Sequence, residues 1–220
     1  MTAASTGKSV PGQDPGTGLE HLIELTRFAR SLTTPPMSFD QFVDLSLRFP
    51  DLRIEQEPNG QITIMPPVFS GSGYREGEAF GLVWQWNRQT RLGKTFSPST
   101  GVHLRDGSTK QADTIWISNE KINSIDPARL DAAFLPLEPD FVIEIRSKTD
   151  DLDKLKSKMT DSWIANGVRL AWLIDPYEEK AWVYRSNGSV DVTESFDEKK
   201  LSGEEVLPGF ELDLAAFKIV

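Results

Sequence analysis

The chain contains no cysteine in its 220 residues. That removes disulfide bonds, thiolate zinc sites and cysteine nucleophiles from consideration. Histidine is scarce too: His21 and His103 alone cannot build a multi-histidine metal cage. A metal ion would have to sit on oxygen ligands, the donor set that suits Mg2+ or Mn2+. No uninterrupted apolar run reaches the length of a membrane span, and the opening stretch MTAASTGKSVPGQDPGTG lacks the apolar segment of a signal peptide. The sequence therefore predicts a soluble, cytoplasmic protein with no membrane partner. Positive charge is in short supply, since 24 Lys and Arg against 33 Asp and Glu give a net charge of −9. Such a balance works against binding nucleic acid unless basic side chains are concentrated at one place.

What is present suits one domain with one buried core. Residues 1–18, rich in Gly, Ser, Thr and Pro without apolar periodicity, predict a flexible tail, and residues 19–220 a single domain. LEHLIELTRFARSL repeats apolar residues at helical spacing, and SFDQ from Ser38 supplies the Ser-x-x-Gln of a capping box before a second helix. DLRIEQ and QITIMPP alternate around EPNG, which predicts a β-hairpin with Asn59-Gly60 as its two-residue turn. A helix is expected from about Gly73 to Gln89, with Phe80, Val83, Trp84 and Trp86 on its buried side. KTFSPSTGVHL and DTIWIS read as strands, and the nearly continuous apolar run of DFVIEIRS as a central strand buried on both faces. DDLDKLKSKMTDSWIANG predicts a helix with an acidic first turn and a closing Asn166-Gly167. VRLAWLID and KAWVYR form a strand pair around PYEE, and a last hairpin-like segment precedes LPGFELDLAAF.

Glu144 is the residue that asks for a chemical explanation. A carboxylate late in the run FVIEI costs several kcal/mol if buried without compensation, so it requires a cation or hydrogen bonds. Asp113 stands at the mouth of another strand, DTIWIS. Two carboxylates at the ends of neighbouring strands can share one divalent ion, which lowers the pKa of a bound water and clamps a phosphate. The structural alternative is that Asp113 caps a turn while Glu144 pairs with Arg146 or with a helix lysine.

The segments REGEAFGLVWQWNRQTRLGKTFSPSTGVHL, DTIWIS, EPDFVIEIRSKTDDLDKLKSKM, NGVRLAWLIDP and LSGEEVLPGFELDL bring a resemblance into view. From about Gly71 to Phe217 the chain resembles a bacterial restriction endonuclease family (Uma-type, formerly a domain of unknown function) of the PD-(D/E)XK nuclease superfamily. The resemblance implies an α/β (α+β) fold, with a restriction-endonuclease-like mixed central sheet flanked by helices and preceded by N-terminal helices and the hairpin. It implies Asp113 and Glu144 as ligands of Mg2+ or Mn2+, and Glu76 as a helix glutamate that orients the metal or its water, with Glu78 close enough to exchange register. The superfamily lysine is expected two residues after the glutamate, where this chain has Arg146, which stays protonated and cannot serve as a base. Its role is implied to move to the following helix, onto Lys158 or Lys156. The pattern Leu-x-x-Lys-Met favours Lys158, whereas helical phase brings Lys156 nearer the stripe of Leu152, Leu155, Met159 and Trp163; Lys158 is preferred. Ala112 replaces the family's usual proline before the aspartate.

The activity so implied is metal-dependent hydrolysis of DNA phosphodiester bonds by a homodimer, since cutting a duplex calls for two sites related by a two-fold axis. Two rivals remain: a catalytically silent binding or assembly module, favoured by the acidic charge and Arg146, and a metal-dependent hydrolase of a small phosphate or nucleotide. Other features carry structural expectations. Most of the six tryptophans are expected in the core, His103 is expected to be satisfied by its neighbours, and SGSG at Ser70–Gly73 is expected as a loop before a helix, lacking the lysine of a phosphate loop.

Overall fold

A computed structural model describes residues 32–132 and 134–219. The expected tail, 1–18, and the first expected helix up to residue 31 lie outside them. Leu32, expected to end that helix, stands instead in the short strand β1 (Leu32–Thr33), hydrogen-bonded beside Ile64. The elements that follow are α1 (Phe39–Arg48), β2 (Arg53–Gln56), β3 (Ile62–Met65), α2 (Ser70–Thr90), β4 (Gly93–Phe96), β5 (Val102–His103), β6 (Thr109–Lys110) and β7 (Thr114–Ser118). After the short helices α3 (Asn119–Ile122) and α4 (Pro127–Ala132) come β8 (Phe141–Ile145), α5 (Leu152–Ser157), which runs on into a π-helical stretch Lys158–Ile164, and β9 (Leu170–Asp175). β10 (Lys180–Arg185), β11 (Val190–Glu194), β12 (Lys200–Ser202) and β13 (Glu211–Asp213) complete the chain.

The apolar run DFVIEIRS forms β8, with every residue buried, inside a six-stranded sheet of order β11-β10-β9-β8-β7-β4. β8 and β9 are parallel, joined through α5; the other pairs are antiparallel. Because side chains alternate across a strand, Phe141, Ile143 and Ile145 pack with Ala79, Val83 and Trp86 of α2 and with the C-terminal Phe210 and Phe217. Val142 faces the other way, with Ile115, Ile117, Met159 and Trp163. The fold is thus a mixed α+β layer structure with a helix on each face of the central sheet.

A second sheet, β1-β3-β2-β6-β5, packs Ile54 and Ile62 on Phe42 of α1. The capping box forms as the sequence predicts: the Gln41 amide donates to Ser38 Oγ at 3.3 Å, and the Ser38 amide donates to Gln41 Oε1 at 2.9 Å. Ser38→Ala is expected to cost about 1 kcal/mol, read as a shift of the thermal or denaturant midpoint.

Three local expectations need correction. The hairpin turn is not a two-residue loop: the Gly60 amide donates to Glu57 O at 2.9 Å and the Glu57 amide to Gln61 O at 2.8 Å. Pro58 favours the second position of an ordinary turn, so Gly60, at φ +83°, is pushed into the left-handed position after it. Helix α2 starts at Ser70, so SGSG is its first turn and not a loop. Its buried stripe is Ser72, Arg75, Ala79, Val83 and Trp86, which leaves Phe80 half-buried and Trp84 46% exposed on the far side, under the Arg88 guanidinium. The other five tryptophans are buried. No helix among the described residues is long and apolar enough to cross a membrane.

Candidate active site

Register brings the two singled-out carboxylates together. Thr114 pairs with Ile143, so Asp113, one step before Thr114, and Glu144, one step beyond Ile143, come side by side. Asp113 shares the parity of Ile115 and Ile117, and Glu144 that of Val142, so both belong to the sheet face covered by α5 and its π-helical continuation. One oxygen of each is engaged. Asp113 Oδ2 accepts from the Ile145 amide at 2.7 Å, and Glu144 Oε1 accepts from Trp163 Nε1 at 2.8 Å and forms an ion pair with Lys158 Nζ at 2.9 Å. The remaining oxygens, Asp113 Oδ1 and Glu144 Oε2, accept no hydrogen bond among the described residues.

Lys158 spends all its donors here. Besides Glu144, its ammonium meets Glu55 Oε1 at 3.0 Å and the Gln111 carbonyl at 2.7 Å. The straight-helix phase that favoured Lys156 fails because the helix widens at Lys158. The Ala165 amide reaches back five residues to Thr160 O, the bonding of a π-helix, a rare form that recurs at functional sites. Lys156 lies with its ammonium 4.6 Å from the centre of the Trp182 ring. Lys156→Ala is therefore expected to cost about 0.5–1 kcal/mol of stability and no turnover, which a melting curve and a cleavage assay would check together.

Glu55 is the site residue that the sequence reading missed. It lies on β2 of the second sheet, 5% exposed, and besides Lys158 it meets Lys110 Nζ at 3.4 Å and accepts from the Gln111 amide at 3.0 Å. In DLRIEQ the alternation reads Glu55 as an ordinary polar hairpin position, and its partner stands 103 residues further on. Arg53, two residues earlier on the same strand, donates among the described residues only to neutral groups, Gln111 Oε1 at 3.4 Å and Pro98 O at 3.3 Å.

The electrostatics follow from this packing. Burial, then the negative charges of Glu144 and Glu76, push the Asp113 carboxyl well above its usual range. Burial also raises Glu144, against the pull of Lys158, and raises Glu76, against Arg53. For Lys158, burial works against the charge, but Glu144 and Glu55 outweigh it and keep the ammonium protonated. Burial likewise opposes ionisation of Glu55, yet Lys158 and Lys110 hold its carboxyl below the ordinary value. A lowered folded-state pKa contributes stability that is present above the unfolded value and lost as pH falls through the folded one. Glu55→Gln should therefore lose about 3–5 kcal/mol at neutral pH, the scale of breaking a buried pair, and show a flatter acid limb than the parent in melting temperature against pH.

Of the other expectations, Arg146 does not pair with Glu144; it meets Asp175 at 2.7 Å and Glu178 at 3.6 Å. The structural alternative of a Glu144 pair with a helix lysine is present, but it leaves Asp113 without an ion-pair partner among the described residues. Glu76, and not Glu78, is the helix glutamate whose charge reaches Asp113; Glu78 lines a surface cleft with Gly81 and Trp84. His103 contacts Thr109 Oγ1 at 3.2 Å and stacks near Phe39.

No group of three or more His, Cys, Asp or Glu is placed to hold a metal ion among the described residues. The donor set nevertheless fits a hard divalent cation: a buried and a half-buried carboxylate, each with an oxygen left over, whose negative charge Lys158 offsets only in part. Mg2+ commonly takes one or two carboxylates and completes its sphere with water and substrate phosphate.

No functionally curated protein matches the chain. Among solved structures, a "putative nuclease belonging to DUF820" from Anabaena variabilis ATCC 29413 aligns with a TM-score of 0.67 at 19% identity, covering 83% of this chain and 97% of that one. This similarity shows that the fold is of the restriction-endonuclease-like kind. The family model Uma2, described as "Putative restriction endonuclease", matches residues 39–215, a span that holds Glu55, Glu76, Asp113, Glu144 and Lys158, and the chain belongs to that family.

Proposed function

We propose that the protein hydrolyses DNA phosphodiester bonds with Mg2+ or Mn2+ held by Asp113 and Glu144. The observation that carries this reading is the side-by-side placement of these two carboxylates, Glu144 buried and Asp113 half-buried, each with a free oxygen, next to a lysine. A divalent cation held there supplies Lewis-acid activation of water and neutralises charge at the scissile phosphate. The chain's own groups do the rest. The Ile145 amide fixes Asp113, and Trp163 fixes Glu144 through Oε1, so the free oxygens are oriented before substrate arrives. Glu76 adds negative charge beside Asp113 and would orient a water. Lys158, kept protonated, stabilises charge that develops on the phosphate; because its three donors are all matched, the contact with Glu144 is the one it would exchange for substrate.

Lys158 and Arg53 supply positive charge beside the carboxylates, Arg53 acting on Glu76. A homodimer would bring one such site to each strand of a duplex. The direct test is supercoiled plasmid incubated with Mg2+ or Mn2+. The parent should nick or linearise it, and Glu144→Gln should not. Intact plasmid with both ions, alongside hydrolysis of a small aryl phosphodiester, would replace this reading with a small-substrate phosphodiesterase.

A further inference from the structure

The guanidinium of Arg75 lacks the partners that a buried charge needs. The residue is 7% exposed, and among the described residues its Nε has no hydrogen-bond partner and its one hydrogen bond is a long one, from Nη2 to Tyr177 Oη at 3.4 Å. Among the described residues no carboxylate pairs with it. A buried cation without a counter-ion is costly, and its surroundings sharpen the problem. A Cβ added at Gly71 would stand 3.5 Å from Nη2 and 3.7 Å from Nη1, so the guanidinium lies over the first turn of α2.

That turn is itself short of acceptors. α2 is 21 residues long, and its N-cap, Phe69, offers no side-chain acceptor. The first amide to find a helical partner is that of Gly73, which donates to Phe69 O, so the amides of Ser70, Gly71 and Ser72 are the orphan donors of the helix. The positive end of a helix and a buried guanidinium thus converge on one spot, an arrangement that makes electrostatic sense with an anion between them. Ser70, Gly71 and Gly73 are exposed, so an anion can reach it. Glu76 follows Arg75 in the chain, and Tyr177 follows the carboxyl end of β9. The spot therefore lies at the same end of the sheet as Asp113 and Glu144, where ligands of open α/β sheets bind.

We propose that the first turn of α2, Arg75 and Tyr177 form a phosphate-binding subsite that holds a phosphodiester of the substrate strand next to the one being cut. This rests on the nuclease reading above. Arg75 supplies the planar fork suited to phosphate oxygens, the amides of Gly71 and Ser72 supply fixed donors, and the Tyr177 hydroxyl, half-exposed, closes one side. The turn SGSG works without a lysine because Arg75, one turn later, brings the charge.

The test uses Gly71→Asp, which puts a carboxylate within reach of Arg75 and an acidic residue in the first helical turn, so the folded protein should melt higher than the parent. Inorganic phosphate, compared with chloride at equal ionic strength, should raise the melting temperature of the parent and not that of Gly71→Asp or Arg75→Gln. With a labelled short duplex and no divalent ion, Gly71→Asp should bind about tenfold more weakly, as for one lost charge-assisted contact, with a log–log salt slope shallower by about 0.9. Equal phosphate protection of parent and Gly71→Asp, or protection of neither, overturns the subsite. Phosphate protection of the parent alone, with no duplex binding by the parent, overturns the assignment to DNA and the nuclease reading with it, while a parent that binds duplex with a salt slope equal to that of Gly71→Asp removes the subsite and leaves that reading standing.

Discussion

Lys158→Ala is expected to slow single-turnover cleavage by on the order of 10²–10³, the scale of losing one preorganised donor to transition-state charge. The same change removes the cation shared by Glu55 and Glu144, so stability should also fall, by about 3–5 kcal/mol. The two effects separate by temperature. Cleavage measured well below the melting point of the variant, at saturating Mn2+, reads the chemical loss alone. Mn2+ should also recover part of the lost stability, because a cation on Glu144 takes over some of the neutralisation that Lys158 provided. A Lys158→Ala protein that is folded and cleaves like the parent would remove lysine from the mechanism and leave Arg53 as the nearest candidate for the charge-stabilising role.

Asp113→Asn should abolish cleavage and yet raise the melting temperature of the metal-free protein. Asp113 is forced to share one corner with Glu144 and Glu76, and its only direct hydrogen bond among the described residues is from the Ile145 amide, which an asparagine oxygen can also accept. Losing the charge therefore relieves repulsion without losing that bond. In the parent, Mg2+ or Mn2+ should raise the melting temperature, since an ion that binds only the folded state contributes about 2.7 kcal/mol at a hundred times its dissociation constant. The variant should lose most of that response. A variant that melts below the parent without metal, or keeps the full metal shift, would place the ion elsewhere.

The parts of this site that can be read from sequence are those where one residue contradicts its local pattern. Glu144 stands out because a charge in FVIEI has no local excuse, and Asp113 because it opens the neighbouring strand. Resemblance located Glu76 and favoured Lys158, where periodicity pointed to Lys156. Periodicity assumes a constant helical pitch, and the wider turn at Lys158 breaks that assumption. Glu55 gives no signal, because its role is set by a partner in another sheet. Trp84 shows the converse: the pattern points a large aromatic in an apolar-looking helix to the core, while the smaller stripe of Ala79 and Val83 takes that place. The hairpin turn depended on Pro58 as much as on the Asn-Gly pair.

The contacts of Lys158 with Glu55 and Gln111 span 103 and 47 residues of chain, and this sets an order of events during synthesis. Loop closure over such separations is slow compared with forming a hairpin or a helix, and the N-terminal sheet leaves the ribosome long before Lys158 does. Until that lysine emerges, Glu55 lacks one of its two cations, and Glu144, made shortly before the lysine, has no ammonium to meet. A nascent or truncated chain that has folded only its N-terminal sheet thus has no assembled centre, and the cluster around Lys158 is complete only after most of the chain has been made.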